Sequence, residues 1–183
     1  MLKGPYLNKE YIGFYLESAN PAIQSKKIYE AINIGFNRKL MITYLRNNVG
    51  YHTNMRLIPK GLQGSNIGPS SFNVIKAKKL VHDYQLENKN KSSITVATDA
   101  NYLDLCEYLH QELQKIGIDL NIKVTPSVTL RQAKSSSKIE LFRASWIADN
   151  PDAENYLLLF NSKNFSPYGP NYTHFKNPLY YEL

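Results

Sequence analysis

Cysteine is almost absent from this chain of 183 residues, which contains only Cys106. A single cysteine cannot form an internal disulfide, so packing and hydrogen bonds alone must hold the fold. Cys106 falls on the apolar side of a helical pattern, where a free cysteine behaves as a small hydrophobic residue. We therefore predict that Cys106 is a buried core residue without a chemical role.

Long apolar runs are also missing. No stretch approaches the roughly 20 apolar residues that a membrane-spanning helix needs. The first residues, Met1 to Pro5, lack the apolar segment of a signal peptide. With 43% hydrophobic and 12% aromatic residues, the composition is that of a globular chain. The length suffices for one domain with its own core.

Signatures of metal binding and of catalysis are missing as well. No His-Glu-x-x-His and no Gly-x-Ser-x-Gly occurs, and the loop with Gly61, Gly64 and Gly68 lacks the Lys-Ser/Thr of a phosphate-binding loop. The four histidines also have no mutual metal-ligand spacing: His52, His82, His110 and His174. We therefore predict no metal, no cofactor and no enzymatic activity.

The net charge is +7, with a sequence pI near 9.3, which raises the question of a nucleic-acid partner. The lysines are spread over helix faces and turns, and neither a helix-turn-helix pattern nor a basic-aromatic RNA motif is present. The charge therefore indicates a solvated basic surface and no nucleic-acid partner.

The chain alternates between strand and helix periods. Strands are predicted at 11–16, 94–98, 118–124 and 139–146. Helices are predicted at 25–36, after Asn37 with Met41, Tyr44 and Leu45 inward, after Asn73 (a short one), and at 101–116, 127–134 and 151–160. Strands joined by crossover helices pair in parallel, so we expect an α/β fold with a mostly parallel sheet flanked by helices. An antiparallel pair of 118–124 with 139–146 would contradict this.

The most informative stretch follows the last predicted strand. Asp149 lies just beyond the carboxyl end of that strand and before Pro151, which fits the first position of a helix. Ligands bind at this end of open α/β sheets. Asp149 therefore either contacts a ligand or caps the helix, with Asn150 as a competing cap. Trp146, the only tryptophan, either packs in the core or forms a pocket wall.

This stretch also carries a family resemblance. The order Trp-x-Ala-Asp-x-Pro-Asp-Ala-Glu-Asn-x-Leu from Trp146 to Leu157 resembles the extracellular solute-binding proteins, family 5, of peptide-type ABC transporters. Five further short motifs resemble the same family in the same order along the chain, at 11–14, 28–38, 58–61, 77–80 and 113–118. The resemblance covers nearly the whole chain.

The resemblance implies that residues 1–183 are a single domain, the carboxyl-terminal lobe of a two-lobed, periplasmic-binding-protein-like receptor, and an incomplete fragment of it. Such a receptor captures di- or oligopeptides outside the cytoplasmic membrane and delivers them to ABC permease subunits. It is periplasmic or extracellular, and in full length a lipoprotein. We further expect poor packing of 178–183, an exposed apolar patch that favours self-association, and weak ligand binding by the lobe alone.

The resemblance also implies site residues. Asp149 would take the α-ammonium group of a peptide, with Trp146, Ala148 and Asn150 beside it. The loop with Gly169 and Asn171 would lie by the cleft.

Other residues are open to more than one interpretation. Arg143 and Arg131 are candidates for a ligand carboxylate. Asp152, Glu154 and Asn155 are explained by the helix dipole. Two alternatives stay open: a small α/β enzyme that uses Asp149 as acid or base with His174 nearby, and a basic interaction domain.

Overall fold

The computed structural model describes residues 7–50, 57–59, 62–65, 72–89 and 92–181, with the backbone alone at 180 and 181. The described residues form four strands: β1 (Asn8–Phe14), β2 (Ser93–Thr98), β3 (Asp119–Val124) and β4 (Leu141–Ile147). They also form seven α-helices: α1 (Pro21–Gln24), α2 (Lys26–Gly35), α3 (Arg38–Leu45), α4 (Val74–Asn88), α5 (Leu103–Gln114), α6 (Ser127–Ser135) and α7 (Glu154–Leu157).

The four strands form one open sheet in the order β1-β4-β2-β3. Strand β2 pairs in parallel with β3 on one side and with β4 on the other. The predicted mostly parallel α/β fold is therefore confirmed. Strand β1 is antiparallel to β4 along its whole length and closes the other edge of the sheet.

The order of the strands places α5 and α6 on opposite faces of the sheet. The connection through α5 moves from β2 to one side, and the connection through α6 returns past β2 to the other side. Both crossovers are expected to be right-handed, so the two helices cover different faces. The packing agrees: Leu109 and Leu113 of α5 lie in the main core, whereas Leu130 of α6 is buried outside that core.

Polar side chains begin three of the helices where the sequence predicts them. Ser25 accepts a hydrogen bond from the Ile28 amide, Asn37 from the Leu40 amide (3.1 Å) and Asn73 from the Lys76 amide (2.9 Å). Each bond pairs an amide that the first turn leaves free. The short-range pattern therefore predicts these helix starts correctly.

The main core lies between the sheet and the layer of α2, α4 and α5. Cys106 is fully buried in it, as predicted, and burial raises the pKa of its thiol. Gly35 allows the closest approach of the helices, because a Cβ atom there would lie 2.6 Å from Ile116 Cδ1 and 3.2 Å from Ala77 Cβ. Helix α4 is longer than predicted and buries Tyr84, while Tyr44 of α3 is 70% exposed and not inward.

The predicted helix at 151–160 is wrong. The structure has a single α-helical turn, α7, followed by a 3-10 turn at Leu158–Phe160. The Asp152 carboxylate accepts a hydrogen bond from the Glu154 amide, at 2.9 Å, and this local turn replaces the first turn of a longer helix. Accordingly, neither Asp149 nor Asn150 caps a helix.

Three predictions concern residues that lie partly outside the described ranges: the spacing of the histidines, the glycine-containing loop and the packing of 178–183. His52, Gly61 and Gly68 lie outside them. Leu179, in a 3-10 turn at Pro178–Tyr181, is 66% exposed, but poor packing over the whole of 178–183 stays a prediction. None of the helices in the described ranges is both long and apolar enough to cross a bilayer.

Glu140 extends the short pairing between β2 and β4, which matches only Val96 with Leu141 and Ala97 with Phe142. The Glu140 carboxylate accepts a hydrogen bond from the Thr95 amide (2.8 Å) and another from Asn20 Nδ2 (3.1 Å). The Glu140 side chain thus continues the hydrogen bonding between the two strands just before the first residue of β4. It also joins β2 to the segment that precedes α1.

We expect Glu140→Ala to lower the free energy of unfolding by about 1.5–3 kcal/mol, because a charge-assisted bond is lost and the Thr95 amide is left unpaired. Urea unfolding of both proteins measures the change. The control is Glu107→Ala on the exposed side of α5, which should change stability by less than about 0.5 kcal/mol. Equal effects of the two substitutions would contradict a special role for Glu140.

Candidate functional site

A crevice opens at the carboxyl edge of the sheet. The loop after β2 leads to α5 and the loop after β3 leads to α6, and these helices lie on opposite faces. Ligands bind where neighbouring loops separate in this way. A cavity of about 120 Å³ occupies the crevice, and it is lined by Thr98, Asp99, Tyr102, Ser127, Leu130, Arg131, Lys134 and Arg143.

Arg143 is held firmly at this cavity. Its guanidinium lies 3.3 Å from the centre of the Tyr102 ring, a cation–π contact, and Nη2 lies 2.8 Å from Glu10 Oε1 of β1. The Nε atom is buried and has no hydrogen-bond partner. A buried donor without a partner is costly, and the ion pair and the ring contact hold the guanidinium in place.

Lys134 of α6 faces the same cavity. Its ammonium lies 5.1 Å from the centre of the Tyr172 ring and 6.0 Å from that of Phe142. Burial lowers the pKa of Lys134, and the positive charges of Arg143 and Arg131 lower it further. Three cationic side chains therefore share a small space, which favours an anionic ligand.

Asp99 is the only acidic residue among those that line the cavity. One carboxylate oxygen accepts a hydrogen bond from the Asn101 amide (2.9 Å) and the other from Ser127 Oγ (3.1 Å). Asp99 thereby joins the loop after β2 to the start of α6. Its negative charge offsets part of the positive charge around it and partly counters the lowering of the Lys134 pKa.

The predicted ligand residues at the end of β4 lie together. Trp146 is half-buried and donates a hydrogen bond from Nε1 to Asn155 Oδ1, at 2.9 Å. Ala148 is buried, whereas Asp149 and Asn150 are exposed. The Asp149 carboxylate has no hydrogen-bond partner in the described part of the chain, so it is free to meet a ligand.

Gly169 and Asn171 belong to a compact loop after α7. The Asn171 side chain is fully buried and donates to the carbonyls of Asn161 and Phe175, at 3.2 and 3.0 Å. A Cβ atom at Gly169 would lie 2.6 Å from the Asn164 carbonyl oxygen. Both residues thus shape the loop, and direct contact of either with a ligand stays a prediction.

The structure brings Arg131 and Arg143, two candidates for a ligand carboxylate, to one cavity. Lys134, Tyr102 and Glu10 were missed by sequence reasoning. The carboxyl-end rule applied to β2 and β3, and not only to β4, would have indicated the first two. Nothing local in the sequence marks Glu10, because its role depends on the antiparallel pairing of β1 with β4.

The acid–base pair that the enzyme alternative requires is not assembled. His174 Nδ1 lies 2.9 Å from Glu17 Oε2, and its ring stacks on Phe165. The bond to His174 lowers the pKa of the Glu17 carboxyl. His174 is thus engaged away from Asp149. Within the described ranges, no three His, Cys, Asp or Glu side chains gather closely enough to hold a metal ion.

Comparison with known proteins identifies the family. Residues 2–167 match the model of the bacterial extracellular solute-binding proteins, family 5 Middle. The chain therefore belongs to this family, whose members are binding proteins and not enzymes. A comparison with curated protein sequences gives no match.

Solved structures agree on the fold. The chain is similar to the substrate-binding domain of an oligopeptide ABC transporter from Bacillus anthracis, with a TM-score of 0.83, 20% identity, and coverage of 97% of this chain and 36% of that chain. It is also similar to Listeria monocytogenes OppA bound to peptide, with a TM-score of 0.81, 19% identity, and coverage of 97% of this chain and 37% of that chain. Burkholderia pseudomallei OppA is similar as well, with a TM-score of 0.80, 20% identity, and coverage of 96% of this chain and 36% of that chain. The chain thus spans little more than a third of these proteins.

We expect Asn171→Ala to lower the free energy of unfolding by about 2–3 kcal/mol, because the buried Asn171 side chain bonds to two part-buried carbonyls and to the Phe175 amide. The control in the same loop is Asn164→Ala, which loses one exposed bond to the Leu158 carbonyl and should cost below about 1 kcal/mol. Thermal unfolding of the two variants makes the comparison. A smaller effect at Asn171 than at Asn164 would contradict its role in the loop.

Proposed function

We infer that this chain is a peptide-binding lobe of an ABC transporter substrate-binding protein. Its membership of solute-binding protein family 5 supports this function. The observation that carries it is the cavity lined by Arg143, Lys134 and Arg131, whose positive charges favour a carboxylate. A peptide offers a carboxylate for this cavity and an ammonium group for Asp149.

The separation of the two candidate groups, Arg143 and Asp149, suits a short peptide. Asp149 follows Arg143 by six residues, and a fully extended strand rises roughly 3.3 Å per residue, so the two side chains are at most about 20 Å apart. A short peptide spans a distance of this order. Its carboxylate binds at Arg143, and its α-ammonium group binds near the exposed Asp149.

Trp146 lies between Arg143 and Asp149 in the chain and would supply apolar contact to the peptide. Its hydrogen bond to Asn155 fixes the indole, and an aromatic ring of this kind supplies apolar contact area at low entropic cost. Ala148 and Asn150 flank Asp149 in the chain, and the loop with Gly169 and Asn171 stands beside the sheet through Tyr172. The charged contacts of such a site are with the two ends of the peptide.

The whole receptor has two lobes that close over the peptide by a hinge motion. Residues 1–183 are its carboxyl-terminal lobe, which agrees with coverage of only 36–37% of the Bacillus anthracis and Listeria monocytogenes structures. The receptor is a lipoprotein at the periplasmic or extracellular side of the cytoplasmic membrane. It delivers di- or oligopeptides to permease subunits, and the lobe alone self-associates through its exposed apolar residues.

We expect Asp149→Asn to weaken binding of trialanine about two- to fivefold while stability stays unchanged. The carboxylate is exposed, and ion pairs at exposed positions contribute about 0.2–1 kcal/mol. Titration followed by ¹H–¹⁵N NMR spectra of this chain measures the weak binding. N-acetyl-trialanine lacks the ammonium group and should be insensitive to the substitution. Equal affinity of both proteins for free trialanine would leave Asp149 without a ligand role.

We expect Arg143→Lys to weaken binding of trialanine about three- to tenfold, because lysine retains the charge and loses the planar fork and the Nε donor. Trialanine amide, which has no carboxylate, serves as the matched ligand. It should bind the original chain more weakly than trialanine and should not respond to the substitution. If acid and amide bind the original chain equally, the carboxylate is not the bound group.

A further inference from the structure

Three cationic side chains and one carboxylate, Asp99, line the cavity at the carboxyl edge, so its lining carries an excess of positive charge. Of its three cations, Arg143 is paired with Glu10 at 2.8 Å. Asp99 is engaged by the Asn101 amide and by Ser127. Lys134 and Arg131 form no ion pair with the carboxylates of the described residues.

The position of Lys134 makes this imbalance costly. Its ammonium lies over the rings of Tyr172 and Phe142 and is partly removed from water. Burial and the neighbouring arginines disfavour its charged form and lower its pKa, and the Asp99 carboxylate offsets part of this effect. A second anionic group in the cavity would remove this penalty, since it would supply the missing partner.

We propose that the cavity selects peptides whose carboxyl-terminal residue is acidic, with the main-chain carboxylate at Arg143 and the side-chain carboxylate at Lys134 and Arg131. This selectivity rests on the proposed function. It adds to that function a class of ligand, namely peptides that end in glutamate or aspartate.

The geometry fits a terminal residue with two carboxylates. Both groups of such a residue lie within a few bonds of each other, and the three cations line one small cavity. A volume of about 120 Å³ admits the end of a peptide and not a whole one. The cavity therefore acts on the last residue, and the earlier residues lie toward Trp146 and Asp149.

The test compares Ala-Ala-Glu with Ala-Ala-Gln, which have nearly the same shape and differ in one carboxylate. Both are titrated into this chain and followed by ¹H–¹⁵N NMR spectra. We expect Ala-Ala-Glu to bind about three- to tenfold more tightly. Lys134→Gln should remove most of this preference while Ala-Ala-Gln still binds.

The matched control is Lys138→Gln, which makes the same change in net charge at an exposed residue that does not line the cavity. It should retain the preference, whereas general attraction to a chain of charge +7 would fall equally in both variants. Equal affinities of the two peptides for the original chain would overturn the selectivity and leave the proposed function standing. Equal losses of preference in the two variants would overturn it as well. No binding of either peptide would overturn the proposed function itself.

Discussion

The parallel pairing of β2 on both of its sides is the constraint on which the rest of the molecule depends. Parallel neighbours cannot be joined by a hairpin. The connection from β2 to β3 therefore crosses over through α5, and the connection from β3 to β4 crosses over through α6. The two crossovers run in opposite directions and keep the same hand. They therefore bring the loop with Asp99 and the helix start at Ser127 to the same edge of the sheet from opposite faces, and the candidate cavity opens beside the hydrogen bond that joins them.

Electrostatics in this crevice depend on the antiparallel edge strand. In the register of β1 and β4, Ile12 lies opposite Arg143, and Glu10 is a diagonal neighbour within reach of a long side chain. Glu10 and the ring of Tyr102 hold the guanidinium from different elements. Arg143 is thus fixed before any ligand arrives, which reduces the entropy that binding would cost.

Some parts of this arrangement follow from local sequence rules. Ser25, Asn37 and Asn73 begin their helices because the amides of a first turn need acceptors close in the chain. The three parallel strands follow from apolar runs separated by helical patterns. The 151–160 segment shows where such rules fail. Pro151 and the acidic residues after it suit the start of a helix. The structure has a shorter helix instead, because a turn forms at Asp152 and because Tyr156 is buried. The Tyr156 hydroxyl donates to the Leu7 carbonyl at 2.6 Å.

By itself, the sequence determined the helix starts at Ser25, Asn37 and Asn73, the strands of the parallel sheet, the burial of Cys106 and, through its motifs, the family. These features depend on neighbours in the chain or on patterns with a short period. Only the tertiary structure decided that Arg131, Lys134 and Arg143 share one cavity and that Glu10 pairs with Arg143. It also decided that Asn171 holds its loop together and that Asp149 caps nothing. Each of these depends on strand order and register, because residues far apart in the chain meet only once the sheet has formed.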